Sequence, residues 1–235
     1  MKKADFDPQL LEKKVRDSGW WVKAENMVDS HHSNTSGVML SHHLLAVYDT
    51  IDAIFNKHEE GFYGRMFSIL RQLDLDKEQV RNELKIVALL HDIGKTEEDK
   101  TVLIPHPLTG KPAHKRHGLV SLIAAMEIFG ADIEHLPDHK KRIYRTIELH
   151  DMSYGLFREY SLNGDIPQKE RLRHIDNKIH HMSGAGLLYL LLFKLADTHG
   201  HDDIEDVIWF YTIAREHFLT DFAIDLPIPE ESDIR

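Results

Sequence analysis

The sequence predicts a single all-α domain. Apolar residues recur at helical spacing through most of the chain. Strand signals are sparse, with few alternating Val/Ile/Thr runs and no Asn-Gly hairpin. No linker-like stretch, internal repeat or low-complexity tract divides the 235 residues, which are ample for one continuous core. The expected domain therefore covers 1–235, with its core over about 38–222 and a frayed tail over 223–235 marked by Pro227 and Pro229.

The elements follow in order. Asp7-Pro8 ahead of Leu10, Leu11 and Val15 starts a first helix, closed near Gly19. Ser41 to about Lys57 is a strong helix with a broad apolar face of Leu44, Leu45, Val47, Tyr48, Ile51, Ile54 and Phe55. Gly61–Leu73 is another. Lys77–Asp92 follows, stopped by Gly94 at a position suited to a left-handed cap. Pro105, Pro107, Gly110 and Pro112 make 99–113 a loop. His117 to about Phe129 is a helix ended by Gly130, and Asp138–His150 is the next. Residues 151–182 read as irregular and polar, with a short helix near Gln168–Asp176; the insertion 155–182 is a candidate substrate lid or a plain connector. Gly186–Thr198 is apolar enough to be a central buried helix, and Ile204–Phe222 closes the fold.

Composition narrows the function. No apolar stretch is long enough to span a bilayer, and Met1–Asp5 lacks the apolar segment of a secretory leader, so no membrane role is expected. The absence of cysteine excludes disulfides and thiolate metal sites and points to a reducing, cytoplasmic setting. A net charge of −10 argues against a surface coated in nucleic acid. It leaves room for local basic patches at Lys111, Lys115 and Arg116 and at Lys140, Lys141, Arg142 and Arg145, which otherwise read as solvated helix faces.

Eighteen histidines are the compositional outlier, and position decides which of them matter. A lone helical histidine is more often a hydrogen-bonded side chain than a ligand. His91 and Asp92 are different: they adjoin at the end of the apolar run Leu84–Leu90, with an imidazole and a carboxylate side by side on a packed backbone. His43, His117, His150 and Asp197 stand near the ends of four other expected helices. One helix cannot surround an ion, so donors drawn from several helices suit a divalent transition metal held by nitrogen and oxygen. Six donors exceed one tetrahedral shell, and Asp92, with two oxygens, is able to bridge two ions. Asp197 beside Leu191, Leu192 and Phe193 would be costly to bury without a cation. His42 competes with His43, His114 competes with His117, and Asp151 is a candidate to orient His150. His31, His32, His180, His181, His199 and His201 read as exposed loop or helix-end residues, and Trp20 and Trp21 as packing residues.

The order His43, His91-Asp92, Asp197, set in Leu89-Leu90-His91-Asp92-Ile93-Gly94-Lys95 and Leu195-Ala196-Asp197, resembles the signature of the HD superfamily of metal-dependent phosphohydrolases across roughly residues 40–200. His117 and His150 resemble the added ligands of its two-metal branch, although that branch often carries His-His where this chain has His150-Asp151. The resemblance implies a helical bundle of the HD-domain type. It also implies one or two divalent ions (manganese, iron, nickel, cobalt, zinc or magnesium) held by His43, His91, Asp92, His117, His150 and Asp197. The implied reaction is hydrolysis of a phosphoester or phosphoanhydride by metal-activated water. Asp92 and Lys95 are the implied catalytic residues, since the family often has a lysine at the latter position near the substrate phosphate. A phosphorylated small molecule such as a nucleotide, or a nucleic-acid end, is the implied substrate.

Several branches fit poorly. The chain lacks the Glu-Asp that stringent-response hydrolases carry after the His-Asp pair, lacks a Gly-Tyr-Pro motif, and has no room for a polymerising domain. The alternatives are a nuclease resembling the HD nucleases of CRISPR systems, with the basic clusters along a single strand; a di-iron oxygenase of the same fold; and a metal-stabilised interaction domain.

Overall fold

The computed structural model describes residues 7–29, 37–57, 59–105, 112–164, 174–175, 177–178, 185–199, 204–218 and 224–234. Over these residues the chain is mostly helical, with one small two-stranded sheet. The helices are α1 (Pro8–Arg16), α2 (Gly19–Asn26), α3 (Leu40–Phe55), α4 (Gly61–Gln72), α5 (Lys77–Leu90), α6 (His117–Phe129), α7 (Asp138–Leu149), α8 (Met152–Asn163), α9 (Ala185–Thr198), α10 (Glu205–Ile213) and α11 (Glu231–Ile234).

Local chemistry sets several of these boundaries. The Asp7 carboxylate accepts from the Gln9 and Leu10 amides and Pro8 opens α1, so the orphan donors of the first turn are met. Asp76 caps α5 by accepting from Gln79 N at 2.8 Å. Gly130, in the left-handed region at φ 64°, ends α6. Almost every residue of α9 is buried, as suits a helix apolar on all sides. It packs against α3, α5, α7 and α10, and α3 packs along α5.

Three helices of the bundle are tied by one buried polar group. Glu83 of α5 accepts from Arg142 Nε of α7 at 3.1 Å, from the Tyr189 hydroxyl of α9, and from Gln79 Nε2 at 2.7 Å. The Arg142 guanidinium also lies 4.9 Å from the Tyr189 ring centroid. Each of Glu83, Arg142 and Tyr189 stands eight residues before His91, His150 and Asp197 respectively. The group thus fixes the mutual register of the helix ends about 12 Å further along.

Some expectations need correction. Gly19 does not merely close the first helix: it opens α2, which Ser18 caps by accepting from Trp21 N. Residues 99–113 are not all loop. Val102–Pro105 (β1) pairs antiparallel with Pro112–Lys115 (β2), its prolines facing each other in the last pair of the ladder, where little pairing is lost. The start of the irregular segment is the helix α8, ended by Gly164 at φ 70°. The helix expected over Ile204–Phe222 turns π-helical over Ala214–Phe218. The tail is docked. Pro227 and Pro229 are buried, Leu226 is fully enclosed, and the Tyr63 hydroxyl donates to Asp233 O at 2.6 Å. Prolines stop a helix but suit an extended segment such as this one. Gly94 does not adopt a left-handed cap. Its requirement is proximity: a Cβ there would stand 2.4 Å from Ser121 N and 2.5 Å from His117 O of α6. Among the described residues no helix is long and apolar enough to cross a membrane.

Candidate metal centre

One end of the bundle gathers the starts of α3 and α6 and the ends of α5, α7 and α9, and the six residues singled out as donors meet there. His43 lies one turn into α3. His91 and Asp92 follow the last residue of α5, His117 opens α6, His150 follows α7, and Asp197 lies in the last turn of α9.

The donors fall into two sets around the two oxygens of Asp92. On one side His43 Nε2 and His91 Nε2 are 3.2 Å apart, each 3.5 Å from Asp92 Oδ2. Asp197 Oδ1 completes that set at 3.6 Å from His43 and 3.2 Å from His91. On the other side His117 Nε2 and His150 Nε2 are 3.0 Å apart, at 3.1 and 3.2 Å from Asp92 Oδ1. Donors held about 2.1 Å from one ion stand about 3.0 to 3.4 Å from each other, so both sets have the spacing of a coordination shell. The groups His43/His91/Asp197 and His91/Asp92/His150 are composed and spaced to hold a metal ion.

The backbone settles the ring tautomers. Nδ1 faces a main-chain carbonyl in three rings: His91 to Ala88 O at 2.9 Å, His117 to His114 O at 2.7 Å, and His150 to Ile147 O at 2.8 Å. A carbonyl only accepts, so Nδ1 carries the hydrogen and the neutral ring presents the Nε2 lone pair inward. In α5 and α7 these carbonyls belong to the last turn and lack a helical partner, so each ring satisfies an orphan acceptor and fixes its own tautomer. Asp151, expected to orient His150, is exposed, and Ile147 O performs that task instead. When both rings are neutral, His117, His150 and Asp92 Oδ1 present three acceptors to one another. A cation resolves that conflict, and this is the observation that makes the donor set fit a metal.

Charge points the same way. Burial opposes protonation of His91, yet the carboxylates of Asp92 and Asp197 outweigh it and push the ring up to about 10. His117 also rises against its burial, through Asp92. His150 is held down by burial. Burial favours the neutral acid at Asp92, but Lys95, His91 and His117 hold its carboxyl well below the usual range. Asp197 is likewise lowered, by His91 and His43. The cluster draws in positive charge.

The turn after α5 adds the lysine. Ile93–Thr96 is a 3₁₀ turn, in which residues three apart lie over each other, and Lys95 Nζ sits 2.5 Å from Asp92 Oδ2. Lys95 is 1% exposed, so its ammonium belongs to the cluster rather than to the surface. Phe193 packs edge-on against His91 and His150, with ring centroids at 5.1 and 6.2 Å, and screens that flank from water. Asp197, with 20% of its side chain exposed, is the most accessible of the six.

The competing histidines are placed too. His42 is exposed. His114 turns its Nδ1 to Thr101 Oγ1 at 2.8 Å, and its contribution is the carbonyl that orients His117. Arg116 makes the corner between β2 and α6 in a left-handed conformation, φ 70°. In the second basic cluster, Arg142 is paired with Glu83, and Arg145 with Glu134 and Glu148. Lys111, His31, His32, His180, His181 and His201, and half of the 155–182 insertion (165–173, 176 and 179–182, which take in most of the short helix expected near Gln168–Asp176), lie outside the described residues. Asp29 was not anticipated. It is fully buried, with Oδ1 3.7 Å from Lys95 Nζ, and no sequence spacing relates residue 29 to residue 95.

No family model, curated protein or solved structure matches this chain.

Proposed function

We propose that this protein is a metal-dependent phosphohydrolase of the HD superfamily, acting on the phosphate of a nucleotide or of a nucleic-acid end. The observation that carries the reading is the division of Asp92: one oxygen faces His43, His91 and Asp197, the other faces His117 and His150. Two donor sets that share one carboxylate would suit two divalent cations. When bound, divalent ions supply charge to a phosphoryl oxygen and make water acidic enough to attack phosphorus. The chain's own residues do the rest. The imidazoles of His43, His91, His117 and His150 and the Asp197 carboxylate would hold the ions, with Asp92 shared by the two sets. The carbonyls of Ala88, His114 and Ile147 keep the Nδ1 protons outside the centre. Lys95 offsets the charge of Asp92 and adds a fixed positive charge for a phosphate oxygen. Phe193 keeps water from the inner flank, leaving the Asp197 side for substrate.

The test is metal analysis of anaerobically purified protein, followed by phosphomonoester and phosphodiester panels with each metal. Turnover is expected, and Asp92→Ala is expected to lower it by about a thousandfold or more while helical content by circular dichroism is retained. Turnover that persists in Asp92→Ala, or that requires dioxygen and an iron pair, overturns the reading.

A further inference from the structure

Asp29 comes from a segment with no motif, yet it is built firmly into the edge of the centre. Residues 27–29 pair with 38–40: Val28 bridges Met39, Asp29 N donates to Val38 O at 2.9 Å, and Leu40 N donates to Met27 O at 2.8 Å. Leu40 opens α3, which carries His43 one turn later. The same short ladder that starts α3 therefore delivers a buried carboxylate to Lys95. Lys95 in turn is bonded to Asp92 Oδ2, the oxygen that faces His43 and His91.

A lone ammonium at that place would compete with a metal for Asp92. It would put a full positive charge within hydrogen-bonding distance of the oxygen that faces the His43 and His91 donor set. A second carboxylate on the far side of the lysine removes most of that repulsion, since Asp29 and Lys95 together are neutral. We propose that Asp29 is a positioning residue of the metal centre: it draws and neutralises the Lys95 ammonium, so that Asp92 remains open to divalent cations. This rests on the metal centre proposed above but not on the reaction assigned to it. Second partners of this kind commonly change metal affinity by about 10- to 100-fold.

Charge arithmetic gives each variant a distinct sign. Asp29→Asn leaves Lys95 positive and is expected to weaken binding of Mn²⁺ to the metal-stripped protein by about 10- to 100-fold. Lys95→Met leaves Asp29 negative and is expected to bind Mn²⁺ at least as tightly as the parent. The double variant Asp29→Asn/Lys95→Met restores the parental charge and is expected to return to within about threefold of parental affinity. All are measured by calorimetric titration without substrate, with thermal unfolding as the check on folding. A double variant as weak as Asp29→Asn alone, an Asp29→Asn protein with parental affinity, or a Lys95→Met protein that binds more weakly than the parent each overturns the proposal. Should Asp29→Asn fail to fold, the Lys95→Met titration decides alone. A parent that binds Mn²⁺ but cleaves no phosphoester removes the hydrolase reading and leaves this one to its own titrations. A parent that takes up no divalent ion overturns both.

Discussion

The Glu83 cluster and the Asp92 cluster are both buried, both draw on α5, α7 and α9, and lie about 12 Å apart along those helices. They differ in how their charges close. Glu83 faces a guanidinium, a phenol and an amide, all donors, and the group is neutral and self-contained. Around Asp92, among the described residues, stand the carboxylates of Asp29, Asp92 and Asp197, the ammonium of Lys95, and imidazoles whose Nε2 atoms face inward. Burying a charge is costly without a partner. The first cluster supplies its own partners and acts on helix register. The second closes its charge only by taking up protons or other cations, which suits the metal site proposed above rather than a structural knot.

Several measurements would break or sharpen this contrast. The largest effect on stability is expected from Glu83→Ala, which leaves the Arg142 guanidinium buried without its carboxylate. A loss of about 3 to 5 kcal/mol in urea denaturation is the expected outcome. A loss well under 1 kcal/mol would mean that the group is not closed in solution.

Gly94→Ala probes the contact between α6 and the turn that follows α5. A methyl there would strike the backbone of α6 at Ser121 and His117 and push the His117 side of the centre away from Asp92. About 1 to 3 kcal/mol of destabilisation is expected, together with weaker uptake of the second ion equivalent than of the first. Equal weakening of both would show that the two donor sets do not divide as the geometry has them.

The third measurement is pH. His91 in the metal-free protein holds a proton up to about pH 10, because Asp92 and Asp197 outweigh its burial. A metal must displace that proton, so affinity rises with pH. Below about 10 the logarithm of the binding constant is expected to climb by about one per pH unit from this group. Titration in buffers of different ionisation enthalpy reads the proton release directly, and release of none would remove His91 from the shell.

The smallest effect belongs to a three-residue ion cluster outside both buried groups. Asp52 bonds Arg81 Nε at 2.7 Å and Lys85 Nζ at 2.6 Å. Burial alone would raise its carboxyl, but the two cations win and lower it. Its contribution is thus present above the unfolded value of about 3.9 and disappears as pH falls through the lower folded value. Asp52→Asn is expected to cost no more than about 1 kcal/mol at neutral pH, since the side chain is 30% exposed, and to flatten the acid limb of the stability curve.

The helical character, the apolar α9, and the helices from Leu40, Lys77, His117 and Asp138 were legible in the sequence because periodic apolar residues and capping residues are local signals. The same holds for the six donor residues, whose types and helix-end positions can be listed without a fold. The hairpin, α2, α8 and the docked tail were not, because their glycines and prolines read as breaks when isolated and are used as starts, edges and close contacts once packed. What tertiary structure alone decided is the division of labour at Asp92, the inward turn of His43 rather than His42, and the meeting of Asp29 with Lys95. Those depend on how helix ends and a distant ladder cross in space. The electrostatic reward for bringing such charges together acts through distance, which the order of residues along a chain does not encode.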